Sequence, residues 1–132
     1  MTAADPSIAT LARIVAAFNA NDTQTLRTLV SEDFDYVLEG KSPIAGRYRG
    51  HQGMQDFMRA IHGAAGGTLK VEPLGVSADD RFVIMYATLT AERNGRRLEG
   101  QNVYIYEFDA GKLRTGRNVP CDAYAWDEFW SG

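Results

Sequence analysis

The sequence predicts an α+β fold in which a curved, mostly antiparallel sheet wraps around N-terminal helices. Three observations lead there. Apolar residues recur at helical spacing in the first half, at Ile8, Leu11, Val15 and Phe18 and again at Met54, Phe57, Met58 and Ile61. From Thr68 onward the chain reads as a succession of strands. Within that half, Glu92–Val119 carries two turn signals, Asn94-Gly95 and Ala110-Gly111, joining three long strands. Helices grouped ahead of a strand meander make an α+β architecture. Such a sheet and its helices form a cone, whose open end is a natural small-molecule site.

At 132 residues the chain reads as one domain, residues 1–132, long enough to bury roughly two-thirds of its unfolded surface. A net charge of −3 and the lack of a Lys/Arg cluster argue against a nucleic-acid partner. Cys121 stands alone, so neither an internal disulfide nor a cysteine zinc set is expected. Two histidines, His51 and His62, do not make a metal site without several converging carboxylates. The N-terminal apolar residues are broken by Asp5, Arg13 and Asn19, so neither a signal peptide nor a membrane span is expected, and the expected address is a reducing cytoplasm.

Taken in order, Asp5-Pro6 reads as an N-cap followed by proline at the first helical position, opening an amphipathic helix over residues 6–20. Asn21-Asp22 caps a second, short helix carrying Leu26, Leu29 and Val30. Phe34–Glu39 alternates as a strand with Phe34, Tyr36 and Leu38 on one face. Residues 40–50 are rich in turn formers and read as a loop. Met54, Phe57, Met58 and Ile61 build a third helix, ended by Gly63 and Gly66-Gly67, in which the methionines fill core and His51 is a cap-region residue. Thr68–Val76 is a strand that Pro73 sends to a sheet edge. Asp79-Asp80, Glu92 and Arg96-Arg97 read as solvated turn charges. The aromatic ending, Tyr124, Trp126, Phe129 and Trp130, reads as a tail docked on the body.

Counting outward from a two-residue type I′ turn at Asn94-Gly95 sets the register of the central hairpin. Ala91 pairs with Leu98, Leu89 with Gly100, Ala87 with Asn102, Met85 with Tyr104, and Val83 with Tyr106. This buried face keeps an amide and two phenols in its middle, which suggests a lined cavity, although both Asn102 and Tyr104 also suit a satisfied core. The outer face carries Ile84, Tyr86, Val103 and Ile105, apolar enough to suggest a homodimer through the sheet. At the next turn two registers compete. A two-residue Ala110-Gly111 turn pairs Tyr104 with Arg117, pointing Arg117 into the cone, whereas a three-residue turn sends Arg117 outward and Asn118 inward. The first is favoured because it sets Leu113 opposite Phe108.

Four stretches together resemble the nuclear transport factor two-like superfamily in its SnoaL-like branch, over nearly the whole chain. They are Asn21-Asp22, Gly40-Lys-Ser-Pro-Ile-Ala-Gly-Arg-Tyr-Arg-Gly50, Phe108-Asp-Ala-Gly-Lys-Leu113, and Asp122-Ala-Tyr-Ala-Trp-Asp-Glu-Phe-Trp130. The resemblance implies a cone-shaped barrel, a curved, mostly antiparallel sheet around three N-terminal helices, usually dimeric through the sheet and without metal or organic cofactor. It is a poor guide to activity, because the fold hosts isomerases, cyclases, epoxide hydrolases, dehydratases and plain binding modules. Ketosteroid isomerase combines an aspartate base with a tyrosine and a protonated aspartic acid as oxyanion donors. Tyr104 matches its oxyanion-binding acid, but the base falls near Leu38, with Glu39 one residue away, and its two tyrosines match Ile14 and Met58. The Arg-x-Asp of limonene epoxide hydrolase is replaced by Asn102-x-Tyr104. The acid of the SnoaL cyclases matches the region of Asp122.

Two functions are therefore expected from different classes. One is a cofactor-independent cyclase, isomerase or dehydratase working by proton transfer on a small carbonyl-bearing molecule. In it Asp122 (or Glu39) is the base, Tyr104 and Asn102 donate to the developing oxyanion, and Arg117 places the substrate. The substrate would be lined by Tyr36, Leu38, Tyr48, Met58, Met85, Ala87, Tyr106 and Trp126. The other is a non-catalytic module that binds a small apolar ligand in the same cavity or uses the fold for dimerisation.

Overall fold

The computed structural model describes residues 4–132, with side chains from residue 6 onward, so the cap expected at Asp5 lies outside the described side chains. The elements run α1 (Ala4–Asn19), α2 (Thr23–Leu29), β1 (Val30–Leu38), β2 (Gly46–Arg49), α3 (Gly50–Ala64), β3 (Lys70–Ala78), β4 (Phe82–Arg93), β5 (Arg96–Asp109), β6 (Lys112–Pro120) and α4 (Ala123–Trp130). No helix among the described residues is long and apolar enough to cross a membrane.

The helices form where periodicity and caps coincide. Asn21 takes the left-handed conformation at φ 52°, which asparagine tolerates and which turns the chain sharply after α1. Asp22 then caps α2, accepting the Thr25 amide at 3.1 Å and the Thr25 hydroxyl at 2.6 Å. These bonds hold its carboxyl below the usual aspartate range. α3 buries Met54, Phe57, Met58 and Ile61. Gly63 lies within this helix rather than ending it; the helix stops at Ala64, and Gly66 and Gly67, both left-handed, turn the chain away from it.

The sheet is curved and open, with strand order β2-β1-β6-β5-β4-β3. β1 and β6 are parallel and every other pair is antiparallel. The Asn94-Gly95 hairpin has the expected left-handed pair, at φ 52° and 75°, and each of the five inner pairs counted from it is observed. β3 is an edge strand, with a register shift between Pro73 and Gly75. Residues 46–49, expected as loop, form the other edge strand, pairing Tyr36 with Tyr48 and Leu38 with Gly46. Gly46, Arg47 and Arg49 are exposed there, so the strand buries almost nothing and leaves no apolar alternation to read.

The docked tail is a helix. Asp122 caps it, accepting the Ala125 amide at 3.0 Å, and it lies against β5 and β6 with Trp126, Phe129 and Trp130 buried. Its C-terminal carbonyls are taken up by the β4–β5 hairpin. Arg93 donates to Phe129 O at 3.2 Å, and Arg96 to Glu128 O at 3.3 Å and Ser131 O at 3.2 Å. Guanidinium groups at the negative end of a helix satisfy its orphan carbonyls and oppose its dipole. Arg96 is thus a clamp on α4, where the sequence suggested only a solvated turn charge.

Candidate functional site

A cavity of about 70 Å³ lies between α1, α3 and the inner face of the sheet. Ile14 and Phe18 from α1, Met54, Phe57 and Met58 from α3, and Met85 from β4 give it an apolar wall. The space is well below the roughly 300–1,000 Å³ of ordinary ligand sites, so a ring-sized ligand must push side chains aside. Three of the six wall residues just named are methionines, whose unbranched thioethers repack most easily. Met58 also lines a surface cleft with Asn21, Thr23, Gln55 and Arg59, so it stands between the cavity and solvent.

One end of the cavity is polar but uncharged. Tyr36, Tyr104, Tyr106 and Asn118 line it. Cross-strand pairing assembles them. Tyr36 on β1 and Tyr106 on β5 flank Gly116 of β6, and Leu38 and Tyr104 flank Asn118. Tyr104 stacks on Tyr106, with ring centroids 6.1 Å apart and planes 10° apart. Gly116 is required by close approach: a Cβ there would meet Tyr36 Cδ1 at 2.6 Å and Tyr106 Cδ1 at 3.2 Å. Asn102 Nδ2 donates to Asn118 Oδ1 at 2.8 Å, and both amides are buried. The Tyr104 hydroxyl is buried with no hydrogen-bond partner.

Burial pushes all three phenols above the ordinary tyrosine range. Neighbouring phenols add to the shift at Tyr36 and Tyr106, while the Asn118 amide draws Tyr36 back. The Asn102 side chain beside it draws Tyr104 part of the way back, the two groups lying close to one another but outside ordinary hydrogen-bond geometry. These phenols therefore stay protonated, with hydroxyls able both to donate and to accept. Among the described residues, no Asp, Glu, Lys or Arg is buried, and no three His, Cys, Asp or Glu side chains converge as metal ligands. His62, buried, has its Nε2 2.8 Å from Phe18 O, and burial lowers its pKa. It lies behind Phe18 rather than on the cavity wall.

Of the expected site residues, Tyr36, Met58, Met85, Tyr104 and Tyr106 come together around the cavity. Leu38 and Ala87 are buried beside it without lining it, and Asn102 reaches it only through Asn118. Tyr48 is half-buried behind Phe57, its hydroxyl donating to Ile44 O at 2.5 Å. Trp126 and Asp122 border a separate groove between α4 and the ends of β5 and β6, and the exposed Asp122 carboxylate is spent as the α4 cap.

The expected inward Arg117 is corrected by the structure. The Ala110-Gly111 turn does have two residues, and Leu113 does face Phe108. A bulge at Arg114 then shifts the register, so that Glu107 meets Thr115 and Tyr104 meets Asn118. One extra residue reverses every side chain beyond it. Arg117 accordingly lies outside, its Nε 3.2 Å from Glu39 Oε1, in a pair more than 40% exposed on both sides. Exposed pairs contribute about 0–1 kcal/mol. Arg117→Gln is expected to change the denaturation midpoint little and to leave binding in the cavity unchanged; a large effect on binding would place Arg117 in the site after all. Asn118 instead lines the cavity, the inward placement that the competing register gave it, though the sequence reading assigned it no role. The signal for it was Gly116, since a glycine inside a strand marks a bulge or a close approach.

Comparison with known proteins agrees with this architecture. The sequence profile of the SnoaL-like domain family matches residues 11–115. Bal32a, from a soil-derived mobile gene cassette, has a similar solved structure at 38% identity, TM-score 0.91, covering 98% of this chain and 99% of that one. A Xanthomonas campestris protein of unknown function with a cystatin-like fold superposes at TM-score 0.89 and 20% identity, each chain covered in full. The uncharacterized protein Rv0034 of Mycobacterium tuberculosis is 25% identical over 129 residues, covering 96% of this chain and 98% of its own.

Proposed function

We propose, from the premise that the chain belongs to the SnoaL-like domain family, that it binds a small, uncharged, largely apolar molecule in the cavity between α1, α3 and the sheet, with a ligand oxygen at the phenol end. The observation that carries this reading is the Tyr104 hydroxyl, buried and unpartnered at the polar end of an otherwise apolar space. A buried donor without a partner costs free energy that a ligand acceptor would recover. The proton-transfer enzyme expected from the resemblance needs a base on the cavity wall. Its two candidates lie elsewhere, Asp122 as a helix cap and Glu39 beside Arg117, so binding is the reading the geometry supports best. Acetophenone, a neutral ketone, tests it: methyl NMR signals of Met58 and Met85 should shift on titration, and unmoved signals would refute the reading.

Tyr104→Phe should then act in opposite directions on stability and binding. Without ligand the variant loses an unsatisfied hydroxyl and should gain up to about 1 kcal/mol, whereas acetophenone should bind about ten-fold more weakly. Chemical denaturation and calorimetric titration read the two effects, and a variant both less stable and equally tight would contradict the assignment.

A second copy of the chain is proposed to cover the outer sheet face. Tyr86 is 44% exposed there, between the half-buried Ile84, Val103 and Ile105, and Leu74 and Val76 are exposed on β3. Apolar patches of a few hundred Å² seldom stay open on monomers. Sedimentation at micromolar concentration should give a dimer; a monomer would overturn the proposal.

A further inference from the structure

We propose that the cleft outside Met58 is the outer half of the ligand site, so that the protein takes an elongated molecule with an apolar body in the cavity and a carboxylate at Arg59. This rests on the binding reading above and deepens it. The part of the ligand inside the cavity stays uncharged, and a charge is admitted only beyond Met58, in water. The cavity holds about 70 Å³ and the cleft about 260 Å³, so each alone falls short of an ordinary ligand site and the two together reach its lower bound. Met58 is common to both spaces and is 2% exposed. The partition is thus an unbranched thioether, which a change of rotamer moves aside without disturbing the backbone. Helical spacing lays out the chemistry of the cleft: Gln55, Met58 and Arg59 lie one turn apart on α3 and share a face. Asn21, in its left-handed turn, and Thr23, at the start of α2, complete the lining. Apart from Met58 this lining is polar, and its single charge is the Arg59 guanidinium. Asp56 holds that group loosely, at 3.8 Å in an exposed pair, and gives the same oxygen to Gln52 Nε2 at 2.9 Å. Arg59 therefore keeps N–H donors for an anion. The arginines of the β4–β5 hairpin are otherwise engaged, Arg93 and Arg96 by α4 carbonyls and Arg97 between Glu92 and Glu99. A net charge of −3 repels anions in general, so a preference for an acid needs a local cation.

Keto acids of increasing length (5-oxohexanoate, 7-oxooctanoate and 9-oxodecanoate), each against its uncharged methyl ester, scan the reach from the cavity to Arg59. Calorimetric titration should show one length at which the acid binds about three- to five-fold more tightly than the ester, the upper part of the range for an exposed ion pair. At that length the Arg59 Nε–H NMR signal should shift with the acid and not with the ester. Arg59→Gln, at an exposed position outside the cavity, should abolish the acid's advantage while leaving the ester's affinity as in the wild-type chain. Acid and ester equal at every length, or an advantage that survives Arg59→Gln, would overturn the proposal. Acetophenone reaches only the cavity, so its binding without any acid advantage overturns this inference alone. Failure of acetophenone, acids and esters alike would overturn the binding reading itself, and with it this one.

Discussion

Trp130→Ala is expected to cost about 3–5 kcal/mol of folding free energy, the range for removing a large buried aromatic side chain. Trp130 is 1% exposed. Its ring meets Trp126 edge-on at 5.5 Å and Phe129 at 4.9 Å, so its loss opens a void that two neighbouring rings line. α4 has eight residues, too few to persist alone, and depends on this packing and on the Arg93 and Arg96 clamp. The indole N–H is itself buried and unpartnered, which offsets part of the gain from burying the ring. Trp130→Phe should therefore be far milder, under about 1.5 kcal/mol, because it keeps an aromatic ring and removes the orphan donor. Urea denaturation of the two variants checks this. A Trp130→Ala loss below 1 kcal/mol, or equal losses, would mean that α4 is not anchored through this ring.

Gly116→Ala is expected to destabilise by about 1–3 kcal/mol and to weaken acetophenone binding more than ten-fold. The added Cβ would lie 2.6 Å from Tyr36 Cδ1 and 2.9 Å from Cε1, and a rigid ring can only move as a whole. Tyr36 already packs on Phe57 at 4.9 Å, so any shift disturbs the cavity wall. In the opposite direction, alanine restricts the unfolded chain, which by itself favours folding by up to about 1 kcal/mol. The sign of the measured change decides which effect wins. Gly100→Ala is the control, since its Cβ would meet only Leu98 Cδ1 at an ordinary 3.7 Å. It should be neutral or slightly stabilising, and indistinguishable results at the two glycines would refute the account of Gly116.

Much of the fold was legible because it is set by neighbours along the chain. Helix positions followed from apolar spacing and from the Asp22 cap, the edge position of β3 from Pro73, and the whole β4–β5 register from Asn94-Gly95. Of the candidate site, Tyr36, Met58, Met85, Tyr104 and Tyr106 were recognised because each lies on a face that period counting assigns.

What the sequence alone determined, then, is the α+β class, the faces of its long elements and the phenol-bearing hairpin. Only the tertiary structure decided which face of β6 turns inward. Turn chemistry at Ala110-Gly111 was read correctly, but the bulge at Arg114 shifts the strand and sets Gly116 between Tyr36 and Tyr106 of two other strands. One of those strands, β1, is a parallel partner about eighty residues away along the chain. With that shift Asn118 lies inside and Arg117 outside. The same holds for Asp122, a cap once α4 forms, and for Arg96, bonded to carbonyls more than thirty residues further on. Local rules count along the chain, whereas these positions are settled by groups that meet only after it has folded.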